Sequence, residues 1–271
     1  MPKGKGASTK KKLTVDKKPA VKLKAKAKLG TEVAEKVLSA RSTRLRRQSS
    51  TDAFGTLEYL SPPEYTLFDQ PDGATSATAR GCKTATVTLG PLAGFTDVNS
   101  GTDAEAVWPS AIEDVRAKIQ GYTWISGHVI NADFGGFGGS DENMTCLTSS
   151  ANSQQKAFDS NVKHARTYLH QVYTALREAG KKSDFFSGFG YGIELELEMS
   201  DATWGRKYPY NCVSNTMSLA ATVVNEPSEE EVRAAMGDAT EVSIGLVLAA
   251  IKNVEKYVGD ANQRHTVRNN K

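Results

Sequence analysis

The sequence has few cysteines, no long apolar run and no aromatic residue among its first 50 positions. Cys82, Cys146 and Cys212 are the only 3 cysteines in 271 residues, and no two of them form a CxxC pair. An odd, sparse set argues against a disulfide framework and against a cysteine-type zinc site. We therefore expect buried or half-buried free thiols in a protein made in a reducing cytosol.

The chain also lacks the apolar segments that membranes and secretory signals require. No apolar run approaches the ~18 residues of a membrane span. The N-terminus has lysines but not the apolar stretch of a secretory signal peptide. We expect a protein that is cytoplasmic in the producing cell and has no membrane span, and whose export into a target cell would follow a non-classical route.

What is present is a strong charge asymmetry. Residues 1–50 carry 12 lysines and 4 arginines against 3 acids, a net charge of +13, whereas residues 51–271 carry 18 bases and 28 acids, a net charge of −10. A basic segment without aromatic residues cannot bury enough apolar surface to fold alone. The composition predicts a disordered basic tail over 1–52, which serves sorting or nucleic-acid binding, a globular domain over 53–259 and a polar C-terminal tail over 260–271.

The periodicity of the globular part predicts an α+β fold, an antiparallel sheet with packed helices. Alternating and β-branched runs predict strands, and apolar residues spaced by three and four predict helices. Glu194, Glu196 and Glu198 share one face of a predicted strand, and such a face is more often solvated than metal-binding. The strands are predicted over Lys83–Leu89, Tyr191–Met199 and Val213–Val224, and the helices over Asp103–Ile119, Asn152–Ala179, Pro227–Met236 and Thr240–Val258.

The stretch Trp124–Lys163 combines the features of a hydrolytic site. A short apolar run ends in Gly127-His128, a glycine-rich loop follows, and Asn152 opens a long amphipathic segment. A histidine can take a proton from water near neutral pH, and Mg²⁺ needs few protein ligands because it keeps most of its waters. His128 is therefore a candidate base and Asn152 a candidate ligand, although a lone histidine at a strand end is more often structural.

Other polar side chains of the same stretch could support this chemistry. Asn143 is placed to brace the loop that holds His128 by bonding its backbone. Lys156, Lys163 and Arg166 are the cations expected to hold a phosphate. Phosphodiester hydrolysis needs such positive partners because charge develops on the phosphate oxygens.

The segment GHVINADFGGFGG...ENMTCLTSSANS resembles the motif of the DNA/RNA non-specific endonuclease family, in particular its bacterial toxin members. The resemblance covers about 40 residues closely. It implies a ββα-metal finger in which His128 is the general base, Asn152 binds a divalent cation and Asn143 matches the asparagine nine residues earlier. Asp159 stands next to the position of a family acid and is a further candidate metal ligand.

The resemblance implies a metal-dependent, sequence-tolerant nuclease that uses Mg²⁺ and acts on DNA or RNA. It further implies a toxin or effector with an immunity protein as partner, delivered by a secretion or contractile injection apparatus that engages the basic tail. Three positions depart from the family pattern. Ser126 stands where the family commonly has an arginine, Gln155 where toxin members often have a histidine, and Ser160 at the place of an acid. The alternative is a catalytically weakened nuclease fold that acts as a nucleic-acid-binding or structural assembly component.

Overall fold

The structure is a computed structural model that describes residues 59–69, 80–93, 109–136, 141–179, 190–263 and 265–269. The predicted basic tail lies outside these ranges, and so does the glycine loop between 137 and 140. The strands are Tyr59–Leu67 (β1), Cys82–Leu89 (β2), Trp124–His128 (β3), Met144–Thr148 (β4), Gly192–Met199 (β5), Thr216–Val224 (β6) and Thr266–Arg268 (β7). The helices are Pro109–Lys118 (α1), Ser149–Glu178 (α2), Glu229–Met236 (α3) and Glu241–Asn262 (α4).

Five strands form an antiparallel sheet in the order β1-β2-β5-β6-β7, and β3 pairs with β4 in a separate two-stranded sheet. Successive side chains of a strand point to opposite faces. In β5, Leu195 and Leu197 are buried whereas Glu196 and Glu198 are exposed. The prediction that the glutamates form a solvated face is confirmed for these two positions, and Glu194 is half-buried.

The main core lies between the five-stranded sheet and the helices α2 and α4. The apolar face of α2 buries Phe158, Val162 and Leu169, and that of α4 buries Ile251 and Val254. Burying one such side chain contributes ~1.5–3 kcal/mol, so these faces account for much of the stability. The α+β class with an antiparallel sheet and packed helices is confirmed. No helix in the described ranges is both long and apolar enough to cross a membrane.

A smaller core packs α1 and the β3–β4 hairpin against the loop between β5 and β6. The rings of Trp124 and Trp204 meet edge to face with their centroids 4.9 Å apart. Cys146 and Cys212 are buried in the same core, and Cys82 is buried in the main one. All three thiols are free, as predicted, and burial raises the pKa of Cys82 and Cys212 to about 12.

The predicted polar tail at 260–271 requires correction. Helix α4 continues to Asn262, whose side chain exchanges two hydrogen bonds with the backbone of Ala221 in β6. Strand β7 then pairs with β6, and Val267 is buried. A three-residue polar strand has no periodicity that a sequence can reveal, since its stability comes from the sheet it joins.

Asn269, just after β7, ties the hairpin to the rest of the domain. Its side chain accepts a hydrogen bond from the amide of Thr148 at 2.9 Å. It donates to the carbonyls of Cys146 at 3.0 Å and Ser214 at 2.9 Å. It is 7% exposed, so water cannot replace these bonds. One amide side chain therefore satisfies three buried backbone groups from two separate segments.

We expect Asn269→Ala to lower the free energy of unfolding by ~3 kcal/mol, because buried polar groups left without partners each cost about 1–3 kcal/mol. The measurement is urea unfolding followed by tryptophan fluorescence. The neighbouring exposed Arg268 provides the control, and Arg268→Ala should change stability by less than ~0.5 kcal/mol. Equal stability of the two variants would show that Asn269 does not anchor the hairpin.

Candidate active site around His128

The candidate site is built on consecutive elements, the β3–β4 hairpin and the helix α2. The antiparallel register pairs Trp124 with Thr148 and His128 with Met144. Helix α2 follows β4 without a connecting loop, because the Thr148 hydroxyl accepts the amide of Ala151 at 3.1 Å and caps its first turn. The predicted helix start at Asn152 was three residues late, and Asn152 lies within the first turn.

Asn143 fixes the chain immediately after His128. It is fully buried, and its side chain accepts from the amide of Ile130 at 2.8 Å and donates to the carbonyl of Ile130 at 2.9 Å. Its own carbonyl accepts from the amide of Val129 at 2.8 Å. These are the backbone bonds expected of a bracing asparagine, and any role in catalysis acts through them.

Gln155 holds the same segment from the side of α2. Its side-chain amide donates to the carbonyls of His128 at 2.8 Å and Val129 at 3.0 Å, and the residue is 3% exposed. In the sequence Gln155 stands out only as a departure from the motif that the segment resembles. The spacing of the sequence does indicate a buried position. Gln155 lies four residues after Ala151 and three before Phe158, and both of these are on the buried face of α2. A polar residue at a core position needs a partner.

Asn152 and Lys156 lie on the first two turns of α2. Asn152 is half-buried and Lys156 is exposed, and no side-chain hydrogen bond joins either to another described residue. Asn152 precedes Gln155 by three residues, a rise of ~4.5 Å along the helix axis, so both residues lie near the start of α2.

Asp159 is buried beneath the loop that follows His128. Its carboxylate accepts from the side chain of Asn131 at 2.9 Å, and the side chain of Asn131 in turn accepts the amide of Asp133 at 3.0 Å. Burial raises the pKa of Asp159 from 3.8 to about 6, whereas the Asn131 bond and the charge of Lys163 oppose that rise. No sequence pattern marks Asn131 as part of this site.

Lys163 and Arg166 contact the same loop further along α2. Lys163 forms an ion pair with the Asp133 carboxylate, and Arg166 donates to the Asp133 carbonyl at 2.6 Å. Burial lowers the pKa of Arg166. Lys163 lies eleven residues beyond Asn152, a rise of ~16 Å along the helix. Lys156 is therefore nearer to Asn152 along the helix, and both Lys163 and Arg166 are bonded to Asp133.

The close packing of this loop requires glycine at Gly136. A Cβ atom there would lie 1.8 Å from the carbonyl oxygen of Ile130 and 2.8 Å from the side-chain nitrogen of Asn143. The amide of Gly136 donates to the carbonyl of Asn131 at 3.1 Å. The glycine therefore lets the loop return against the asparagine that braces His128.

Few of the side chains that usually hold metal ions come together in the part of the chain that the structure describes. No group of three or more His, Cys, Asp or Glu side chains comes together within the described residues. Mg²⁺ retains several waters and needs only one or two protein oxygens. The side chain of Asn152 carries one such oxygen, and the carboxylate of Asp159 accepts a hydrogen bond from Asn131.

We expect Gly136→Ala to lower the free energy of unfolding by at least ~2 kcal/mol, because overpacking forces the backbone of Ile130 or the side chain of Asn143 to move. Thermal unfolding by circular dichroism measures the effect. Gly259 in α4 has open space at its Cβ position, so Gly259→Ala should be neutral or stabilising. Similar losses for both variants would contradict the requirement for glycine at 136.

The pKa of Asp159 predicts a specific dependence of stability on pH. The folded state binds this proton more tightly than the unfolded state, so the contribution to stability is full below about pH 4 and is lost as pH rises through about 6. The free energy of unfolding of Asp159→Asn, measured relative to that of the wild type, should therefore rise by ~2 kcal/mol from pH 4 to pH 7.5. Urea unfolding at both pH values measures the gain, with the exposed Asp238→Asn as control. A pH-independent difference would contradict the raised pKa.

In comparisons with family models, curated proteins and solved structures, nothing matches this chain.

Proposed function

We propose that this chain is a metal-dependent, sequence-tolerant nuclease that hydrolyses phosphodiester bonds of DNA or RNA. The observation that carries the proposal is the anchoring of the backbone at His128 from two sides. Asn143 holds the next residues from the hairpin, and Gln155 holds His128 itself from α2. A general base must be fixed relative to its water, and such supporting bonds provide the required rigidity.

In the proposed reaction His128 takes the proton of the water that attacks the phosphorus. An imidazole suits this step because it exchanges a proton near neutral pH. Asn152 orients the reacting phosphate group from the first turn of α2. Lys156, one turn beyond Asn152 and exposed, offers its ammonium group to a non-bridging oxygen.

Asn152 is the residue proposed to hold Mg²⁺. The half-buried amide has no other hydrogen-bond partner among the described residues, so it remains available to an ion. When bound, the ion supplies positive charge at the phosphate as negative charge develops there. Asp159 lies seven residues further on, a rise of ~10 Å, and acts in this proposal by holding Asn131.

The basic segment 1–52 supplies the attraction to nucleic acid in this proposal. Residues 51–271 have a net charge of −10 and repel a polyanion, whereas residues 1–50 carry +13. We further propose that the protein is a toxin or effector whose basic segment engages a delivery apparatus. The producing cell would then protect itself with an immunity protein that covers the site at His128.

A second candidate is a weakened nuclease fold that binds nucleic acid or an assembly without cutting. Two observations favour it. Ser126, where the family commonly has an arginine, is 4% exposed and pairs with Cys146 in β4, so this strand position has no room for a phosphate clamp. Lys163 and Arg166 are also already engaged with Asp133.

The test is cleavage of plasmid DNA and of RNA by the full chain with Mg²⁺, with Mn²⁺ or with EDTA. We expect cleavage that requires the metal, and a loss of at least ~100-fold in His128→Ala, because general bases contribute 10²–10⁴-fold. Asn152→Ala should raise the metal concentration needed for half-maximal activity.

His265 is exposed, and among the described residues its ring bonds only to the carbonyl of Asn262, so His265→Ala is the matched histidine control and should cut normally. Equal inactivity of the wild type and His128→Ala with both metals would exclude the nuclease and favour the weakened fold. Equal activity of these two proteins would show that His128 is not the base.

A further inference from the structure

One surface outside the candidate site gathers cations and tyrosine rings. It consists of the end of α1 with the turn before β3, and the loop between β5 and β6. We call it the aromatic-basic surface and define it by Lys118, Tyr122, Arg206, Lys207 and Tyr210, all of which are exposed. We propose that the aromatic-basic surface binds single-stranded nucleic acid. The proposal rests on the proposed function, since the bound strand would be the substrate of the site at His128.

Direct contacts bring the two segments of this surface together. The hydroxyl of Tyr210 donates to the carbonyl of Lys118 at 3.1 Å. The ammonium nitrogen of Lys118 lies 5.2 Å from the centre of the Tyr208 ring. The rings of Tyr122 and Trp204 meet edge to face with centroids 4.8 Å apart. The loop and the helix end therefore form one continuous surface rather than two separate patches.

The cations of the aromatic-basic surface are available to an external anion. Lys118, Arg206 and Lys207 form no ion pair with any carboxylate in the described ranges. The nearby Asp114 carboxylate accepts the hydroxyl of Tyr208, and Asp201 pairs with Lys83. Unpaired positive charge in a domain of net negative charge creates a local field that selects a polyanion such as a phosphate backbone.

The tyrosine rings favour single strands over duplexes. Tyr122 and Tyr210 are each 39% exposed, so part of each ring faces solvent. Contact with Trp204 and the bond to Lys118 hold the two rings in place, which lowers the entropic cost of stacking. Unpaired bases stack on such rings, whereas the bases of a duplex are already stacked on each other.

The aromatic-basic surface lies at the start of β3, next to the first residues of α2, and β3 leads from it to His128. The residue after Tyr122, Thr123, accepts the amide of Ser149 at 2.9 Å and so touches the start of α2. Strand β3 then runs the five residues from Trp124 to His128, a distance of about 13–17 Å. A strand held at Tyr122 and Tyr210 could therefore extend along the hairpin to His128.

The test measures binding without cleavage, using full-length His128→Ala in EDTA as the parent. Fluorescence anisotropy follows a labelled oligothymidine and the same oligonucleotide as a duplex. We expect the added pair Tyr122→Leu and Tyr210→Leu to weaken single-strand binding about tenfold or more, because each stacked base contributes substantially, and to leave duplex binding almost unchanged. The matched pair with phenylalanine at both positions should bind like the parent, since it keeps the rings.

The cations are tested through the dependence of affinity on salt. Removal of two phosphate contacts by Arg206→Ala with Lys207→Ala should reduce the slope of log affinity against log salt by about 1.4 for the single strand. Lys252→Ala with Lys256→Ala removes two exposed lysines of α4 and controls for net charge. Equal salt-dependence slopes in the two double variants would show that Arg206 and Lys207 do not contact the phosphates.

A local measurement keeps the proposal falsifiable if the leucine variants fold poorly. Photo-crosslinking of a bromouracil-substituted single strand to the parent should label peptides from 119–124 or 204–212, and labelling confined to residues 1–50 would overturn the proposal. Failure of wild-type cleavage with these labels present would refute the proposed function and leave the aromatic-basic surface intact. Normal wild-type cleavage with unchanged binding by the leucine variants would refute the surface alone.

Discussion

The two hydrogen bonds between the side chain of Asn143 and the backbone of Ile130 are the constraint on which the candidate site depends. A chain that leaves a strand inside a protein must find new partners for its backbone groups, because unpaired buried groups are costly. Asn143 offers one donor and one acceptor in the geometry of a neighbouring strand. The loop can therefore bend away directly after His128 without losing its backbone bonds, and Gly136 can pack against the bend.

Buried amide side chains also bond the backbone where the β3–β4 hairpin meets the rest of the domain. Gln155 pairs with two carbonyls at the end of β3, and Asn269 pairs with three backbone groups between β4 and the approach to β6. A hairpin of two five-residue strands is marginal alone, so its position has to come from its surroundings. Buried amide side chains fix that position more specifically than apolar packing does, since each bond has a direction.

The elements with strong periodicity could be predicted from the sequence, and those held by single polar contacts could not. The apolar spacing of α2 and α4 and the alternation of β5 follow from local pattern, because one face of each is buried in the main core. The residues themselves predict that Asn143 braces the loop that holds His128, and its side chain bonds the backbone of Ile130 there. Strand β7, Asn131 and Asn269 depend on partners far away in the sequence, and no local pattern marks a residue whose role is to pair with a distant carbonyl.

Gln155 illustrates why a departure from a family pattern does not by itself mark lost function. A histidine at this position would present one N–H group towards the loop, whereas a glutamine amide carries two hydrogens on one nitrogen. That nitrogen lies 2.8 Å from the carbonyl of His128 and 3.0 Å from the carbonyl of Val129, so both hydrogens are used. A residue that satisfies two buried carbonyls beside the candidate base stabilises the site where the base must be held. Gln155 cannot itself contact a substrate, because its amide is buried and cannot also reach a phosphate. In our proposal that contact comes from the aromatic-basic surface, whose cations lie at the opposite end of β3.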